Sequence, residues 1–187
     1  MVGMMVDCDI SSFAPENISQ HVTLVPRIVF SHGLLDTSIE YLLEKQDNVK
    51  QSNKILFSEF EETESQYLSA IILERTITIS LEALFCVRKR LASISDIRSI
   101  PDILPSIIPM IRTISAQLFE ILPQCSQKLC ELSVQLGSIV LDSATLTKAR
   151  FDFSEANAES TVLLDKVKLI VDSKISKQHP NLDFNKE

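Results

Sequence analysis

Three histidines are the residues best suited to metal or acid–base chemistry: His21, His32 and His179. None has a carboxylate or cysteine at the spacing of a helical zinc site (HExxH) or a di-iron bundle (ExxH). Acidic groups at 7–9 and 61–64 lie in polar stretches, which favours solvated faces over paired catalytic carboxylates. Only three glycines are present, and GxSxG, Walker A and GxGxxG sequences are absent. We therefore predict a non-enzyme with no catalytic residue, no cofactor-binding residue and no metal ligand.

Two charged residues occupy core-like positions in the most apolar stretch of the chain. Glu74 and Arg88 fall on a row that is otherwise suited to helix packing. One interpretation pairs each with a charge on a facing helix, such as Asp142 or Lys148, which would fix helix register. The other is that local shifts of register expose them.

The four cysteines, Cys8, Cys86, Cys125 and Cys130, form no CxxC motif. In a chain that is 45% hydrophobic, they are expected to be free thiols that act as small apolar side chains. The N-terminus lacks the basic and apolar regions of a secretory signal, and no apolar run approaches the roughly 18 residues that span a bilayer. We expect an intracellular protein, cytoplasmic rather than nuclear, without integral membrane insertion.

The net charge of −7 argues against nucleic-acid binding, which generally requires a basic face. The one basic cluster, at 88–90, suits the C-terminal end of a helix, where cations are favourable. We therefore expect no nucleic-acid partner.

The elements that must position these residues are predicted to be long helices. So few glycines allow few tight turns, and no proline interrupts the chain between Pro26 and Pro101. Heptad spacing is the strongest signal in this stretch. One row is apolar except at Thr63, whereas half of its companion row is polar or charged. The apolar row is Leu35, Leu42, Val49, Leu56, Thr63, Ala70, Ile77, Leu84 and Leu91, and the polar members of the companion row are Gln46, Asn53, Glu74 and Arg88.

A second heptad row follows Pro101 and contains only apolar residues. Its members are Leu104, Ile111, Leu118, Cys125, Leu132, Ile139, Leu146 and Phe153. Pro105 and Pro109 predict a short helix and a restart near Ser106. Because the row continues past Pro123, a kink is expected there.

These patterns predict an all-α fold with three segments. Residues 1–32 are expected to form an irregular N-terminal arm, 33–178 a single helical domain and 179–187 a frayed tail. The domain would contain helical arms at about 34–93 and 102–177. It would form either an elongated antiparallel hairpin with coiled-coil character, or a four- to five-helix bundle with breaks near Thr63, Pro123 and Phe153.

The segment 67–87 is apolar over most of a helix circumference, which is typical of a helix covered by several neighbours. A hairpin supplies too few neighbours, so we predict that Leu68, Ile71, Ile72, Ile79 and Phe85 contact a partner. The predicted function is that of a helical subunit or adaptor in a trafficking, tethering or chromosome-attachment type of assembly, bound to other helical subunits or to itself. The alternative is a self-contained bundle that binds a lipid or small apolar ligand.

Overall fold

The computed structural model of the chain describes residues 15–59, 64–150 and 152–178. Within them every regular element is helical, which confirms the all-α prediction. A 3₁₀ turn, Ile97–Ser99, links the second and third α-helices. The five α-helices are α1 (Pro15–Glu59), α2 (Glu64–Ala92), α3 (Ile100–Leu118), α4 (Pro123–Thr147) and α5 (Phe153–Gln178).

Four of the helices form a closed ring. The contacts run from α1 to α2, from α2 to α3, from α3 to α4, and from α4 back to α1. Cross-helix contacts such as Asp36 with Arg88, Ser115 with Ser126, and Arg27 with Asp142 show that neighbours are antiparallel. The fifth helix packs against both α2 and α3. The chain is therefore a five-helix bundle, the second of the two predicted architectures, and not an elongated hairpin.

The interior of the ring is built almost entirely from leucine and isoleucine. Both predicted heptad rows contribute to it, because a residue at every seventh position keeps returning to the same face of its helix. Members that are at most 1% exposed include Leu35, Leu42, Ile77, Leu84, Leu91, Leu104, Ile111, Leu118, Cys125, Leu132 and Ile139.

The prediction of an irregular arm at 1–32 is wrong for residues 15–32, which belong to α1. Proline is well suited to the first turn of a helix, and α1 begins at Pro15. Pro26 lies inside the helix, where it removes one backbone hydrogen bond. Leu24 is buried on the core-facing side, and packing of this kind stabilises a helix within a protein. Residues 1–14 and the predicted tail at 179–187 lie outside the described residues.

Neither predicted arm is one continuous helix, because the chain reverses direction at three predicted break points. The first reversal falls after α1 ends at Glu59 and before α2 begins at Glu64, which agrees with the break predicted near Thr63. The second falls at Pro123, which begins α4 as a first-turn proline, so the prediction of a mere kink is wrong. The third follows Lys148, whose positive φ of 55° ends α4.

Helix α3 contains three prolines and still runs without a restart, contrary to the predicted break near Ser106. Pro101 occupies the first turn, where its missing N–H would have had no helical partner. Pro105 and Pro109 follow at intervals of four. They share one side of the helix, so the lost hydrogen bonds are confined to that side, where Pro101 and Pro105 are themselves buried.

Candidate partner-binding surface

The polar residues of the first heptad stretch pair with each other across the α1–α2 contact. Gln46 Nε2 donates to Thr78 Oγ1 at 2.9 Å, and Asn53 Nδ2 donates to Glu74 Oε2 at 2.9 Å. Gln46 and Asn53 are buried, so each finds the partner that an interior amide requires. These pairs fix the register of the two helices without an outside partner.

Arg88 also faces α1, and its Nε lies 2.9 Å from Asp36 Oδ1. Arg88 therefore pairs with a charge on a neighbouring helix, as one interpretation predicted, but its side chain is 52% exposed, and the partner of Glu74 is the uncharged amide of Asn53. The suggested partners, Asp142 and Lys148, are wrong. The neighbour of α2 at these positions is α1, and sequence spacing alone does not show which helix lies opposite.

Helix α5 is attached to α2 by apolar packing and by three ion pairs. Arg75 binds both carboxylate oxygens of Asp172, at 2.6 and 2.9 Å. Arg90 Nη2 lies 2.6 Å from Glu159 Oε1, where the same guanidinium also donates to the Ser106 hydroxyl. Lys174 with Glu82 completes the set. Leu164, Val167, Val171 and Ile175 form the buried apolar side of α5.

The five predicted partner-contacting residues divide into two groups. Ile71 and Ile79 are buried in the core of this chain, and Phe85 packs against that core while partly exposed. Leu68 and Ile72 remain accessible, at 37% and 55% exposure. Much of the wide apolar arc at 67–87 is thus covered from within, because α2 contacts α1, α3 and α5.

The more extensive accessible apolar surface lies on the outer side of the α3–α4 pair. Two adjoining hollows, of about 790 and 530 Å³, run along the line where these helices meet. Both are lined by Arg112 and Val134, so they form one continuous surface, here called the α3–α4 groove. Its exposed apolar side chains are Phe119 (67%), Val134 (63%) and Leu141 (59%).

The groove owes its floor to small residues that let α3 and α4 approach closely. Ser115 Oγ donates to the Ser126 carbonyl at 2.8 Å, and Ser126 Oγ donates to the Ser115 carbonyl at 2.8 Å. Gly137 lines the smaller hollow, between Val134 and Leu141 in the sequence of α4. A Cβ built at Gly137 would meet nothing within 4 Å. The reciprocal hydrogen bonds satisfy both buried hydroxyls, and the missing side chain leaves open space above α4.

The chemical groups along the groove are suited to recognition more than to reaction. Its ionisable side chains are Arg112 and Cys130, and Cys130 is exposed. On the opposite, buried side of α4, burial raises the pKa of the Cys125 thiol to about 11, against a smaller lowering by Lys128. Cys125 is therefore protonated and unreactive at neutral pH. Across residues 15–59, 64–150 and 152–178, no three His, Cys, Asp or Glu side chains are grouped so as to hold a metal ion.

Helix α4 is the one helix in the described part of the chain that is long and apolar enough to cross a bilayer. Of its most apolar window, 39% is buried inside the bundle. A core helix of a bundle has the same length and composition. The absence of membrane insertion stays a prediction.

Sequence reasoning missed the α3–α4 groove, although a signal was present. Val134 and Leu141 are seven residues apart and lie off both packing rows of the second arm. Such a pair places apolar side chains on a second side of α4, one helix turn after another. The prediction of a partner contact at 67–87 overlooked this second candidate surface.

The sequence matches no protein-family profile, and no solved structure matches the fold.

Proposed function

We propose that this protein is a non-catalytic helical subunit or adaptor of a multi-protein complex, and that it acts through helix–helix packing. Its partners are other helical subunits, or further copies of itself. Trafficking, tethering and chromosome-attachment complexes use components of this kind. Its free thiols, Cys86, Cys125 and Cys130, suit a reducing compartment, so we place it inside the cell, in the cytoplasm more than the nucleus.

The α3–α4 groove is the observation that carries this proposal. Phe119, Val134 and Leu141 are each more than half exposed in one continuous surface. Grouped exposed apolar side chains in a well-packed bundle are typical of a binding face, whereas single ones are common on any protein. The two-helix outline of the groove is the shape into which a third helix fits.

The charged side chains at the helix contacts support a structural role. Arg75, Arg90 and Lys174 each bind a carboxylate on another helix, so they hold α5 in place. Such pairs position elements and do not converge on a common point where a substrate would react.

The test compares the assembly state of the wild type with that of a groove variant in cells of the native source. The groove variant combines Val134→Glu with Leu141→Glu, which adds two charges at exposed positions. The free energy of unfolding of the purified variant should stay within about 0.5 kcal/mol of wild type. Leu169→Glu is the matched control, since Leu169 is exposed on α5 outside the groove.

In size-exclusion chromatography of a native extract, wild type and control should elute well above the 21.0 kDa of one chain. The groove variant should elute at lower mass. Elution of the wild type as a single chain at its natural abundance would refute the proposal.

A second candidate function, binding of a lipid or small apolar ligand, is favoured by a separate hollow of about 440 Å³. It lies where α1 meets the link between α2 and α3, and Leu24, Ile28, Ile94 and Ile97 line it. Ligand pockets commonly have this size and apolar lining. Native mass spectrometry of the protein purified from its own source should then detect a bound small molecule, which Ile28→Trp should displace. Recovery of ligand-free protein only would rule this function out.

A further inference from the structure

We propose that the α3–α4 groove binds a single amphipathic helix of a different protein, and that this helix carries a carboxylate which pairs with Arg112. The inference rests on the proposed function and adds to it the chemistry of the partner.

The dimensions of the groove fit one helix. Its lining residues extend from Pro105 to Phe119 on α3 and from Pro123 to Leu141 on α4. At 1.5 Å per residue, these lengths correspond to roughly 21–27 Å, or about four to five turns of a bound helix. The open space above Gly137 admits a large apolar side chain from the partner near the Leu141 end of that length.

The charge of the groove specifies what the partner carries. Arg112 lines both hollows, and no carboxylate shares the lining with it. The guanidinium groups of Arg27, Arg75, Arg88 and Arg90 each lie against an acidic residue on a neighbouring helix. Arg112 forms no ion pair within the described residues. A partner that covers the groove removes Arg112 from water, and this is costly unless the partner supplies an anion.

A second copy of this chain is a poorer occupant. The exposed apolar side of α5 contains Val162 and Leu169 with Asp165 between them, which approaches the required pattern. However, Asp165 already pairs with Lys168 at 3.4 Å. Lys166 stands next to it in the sequence. These cations repel Arg112, so α5 of another copy brings too little net negative charge.

A membrane or nucleic acid is disfavoured as well. One cation in an apolar groove on a chain of net charge −7 provides no basic surface for phosphates.

The test uses synthetic helical peptides of 18 residues and the full-length protein. One peptide presents a stripe of leucines at i, i+4, i+7 and i+11, with one aspartate beside the middle of that stripe. The matched peptide is identical except that lysine replaces the aspartate. Fluorescence anisotropy should show the aspartate peptide binding at least about tenfold more tightly. With Arg112→Glu the preference should reverse, which a nonspecific apolar contact would not do.

Gly137→Leu is the second variant, because it blocks the groove while leaving the fold intact. Leucine has the higher helix propensity, and nothing lies within 4 Å of its Cβ. The stability of the variant should equal or exceed that of wild type, and its affinity for the aspartate peptide should fall about tenfold or more. Gly137→Ala, which changes helix propensity without filling the space, is the matched control and should bind as wild type does.

Alkylation of Cys130 gives an independent position-specific readout, since this thiol is exposed and lines the groove. Bound aspartate peptide should slow the reaction of Cys130 with iodoacetamide.

Equal affinity for both peptides, or no binding of either, would overturn the inference. The proposed function would survive that result if the native assembly still depended on Val134 and Leu141. Sedimentation of the protein alone tests the remaining occupant: a dimer that Arg112→Glu dissociates would assign the groove to a second copy.

Discussion

The α1–α2 contact and the α3–α4 contact solve the same packing problem with different chemistry. Between α1 and α2, buried amides and a carboxylate pair in register, as in Gln46 with Thr78 and Asn53 with Glu74. Between α3 and α4, the inner side is leucine and isoleucine and the outer side combines small residues with exposed apolar ones. The first contact is satisfied within the chain. The second leaves a continuous apolar groove uncovered, and under the proposed function this groove is the surface that a partner would cover.

The largest effect should come from a cavity on the inner side of α4. Leu129 is fully buried, so Leu129→Ala should lower the free energy of unfolding by about 2–5 kcal/mol through lost burial and the cavity left behind. Urea denaturation monitored by circular dichroism measures it. Val134→Ala, on the outer side of the same helix, should change stability by no more than about 0.5 kcal/mol. Similar losses for the two variants would remove the distinction between the two sides.

The two sides of α4 should also differ in thiol reactivity. A pKa raised from 9.0 to about 11 lowers the thiolate fraction of Cys125 at pH 8 by about a hundredfold. Mass spectrometry after iodoacetamide treatment should find Cys130 modified while Cys125 stays unmodified.

The raised pKa of Cys125 also makes the stability of the protein depend on pH. Burial favours the protonated thiol, so the contribution of Cys125 to the free energy of unfolding is complete below pH 9 and is lost as the pH rises towards 11. Stability should therefore fall less steeply over this range in Cys125→Ala, and rapid alkylation of Cys125 in the folded protein would contradict the assignment.

The close approach of α3 and α4 depends on the reciprocal serine pair. Ser126→Leu should force the helices apart and cost about 1–3 kcal/mol by overpacking. Ser126→Ala is the matched change, which removes the hydrogen bond to the Ser115 carbonyl and the 3.1 Å contact with the Ser115 hydroxyl, and should cost about 0.5–1.5 kcal/mol. If the leucine variant unfolds at the same urea concentration as the alanine variant, the approach is not tight at this point.

In the α1–α2 contact, removing one polar partner should be worse than removing both. Asn53→Ala leaves Glu74 without its amide donor and should cost on the order of 1 kcal/mol. Replacing Asn53 and Glu74 together by leucine should recover most of that stability, because no buried polar group is left unpaired. A double-mutant cycle of Asn53→Leu, Glu74→Leu and their combination, followed by chemical denaturation, measures the coupling, and strictly additive losses would show that the pair is not coupled.

The smallest effect should come from the ion pairs that hold α5. Arg75→Ala removes a bidentate contact with Asp172, but both side chains are about a third exposed. The expected loss is therefore only about 0.2–1 kcal/mol. Thermal unfolding should show that the difference from wild type shrinks in 1 M salt, which screens exposed charges. Asp165→Ala, at the exposed pair within α5, is the control and should have less effect than Arg75→Ala.

Much of the fold follows from the sequence, because a heptad row predicts which residues of a helix are buried. It does so whichever helix covers them. The predicted packing rows run from Leu35 to Leu91 and from Leu104 to Ile139. Their buried members form the core of the ring. The breaks near Thr63, Pro123 and Phe153 were also recognisable. The choice between hairpin and bundle was not, since it depends on whether the chain reverses at each break.

The heptad patterns do not predict which helix covers a given apolar face. Ile71 and Ile79 have the composition of an interface, and the same composition serves a helix that its own chain covers. Arg88 pairs with Asp36 on α1, a helix that begins at Pro15 and not near residue 34 as the heptad pattern predicts. The groove itself depends on how α3 and α4 are rotated about their axes, which serines at 115 and 126 set through contacts made only in the folded state.

Closure of the ring has a consequence for how the chain folds. Arg27 and Asp142, which join α1 to α4, are separated by 115 residues, whereas Ser115 and Ser126 are separated by 11. Contacts between distant residues form late, because a long loop must be closed before they contribute any stability. During synthesis, α1 and α2 therefore emerge before α4, and the side of α1 that contacts α4 stays uncovered until α4 has been made. The hydrogen bonds of Gln46 with Thr78 and of Asn53 with Glu74 lie within the α1–α2 pair and require no residue of α4.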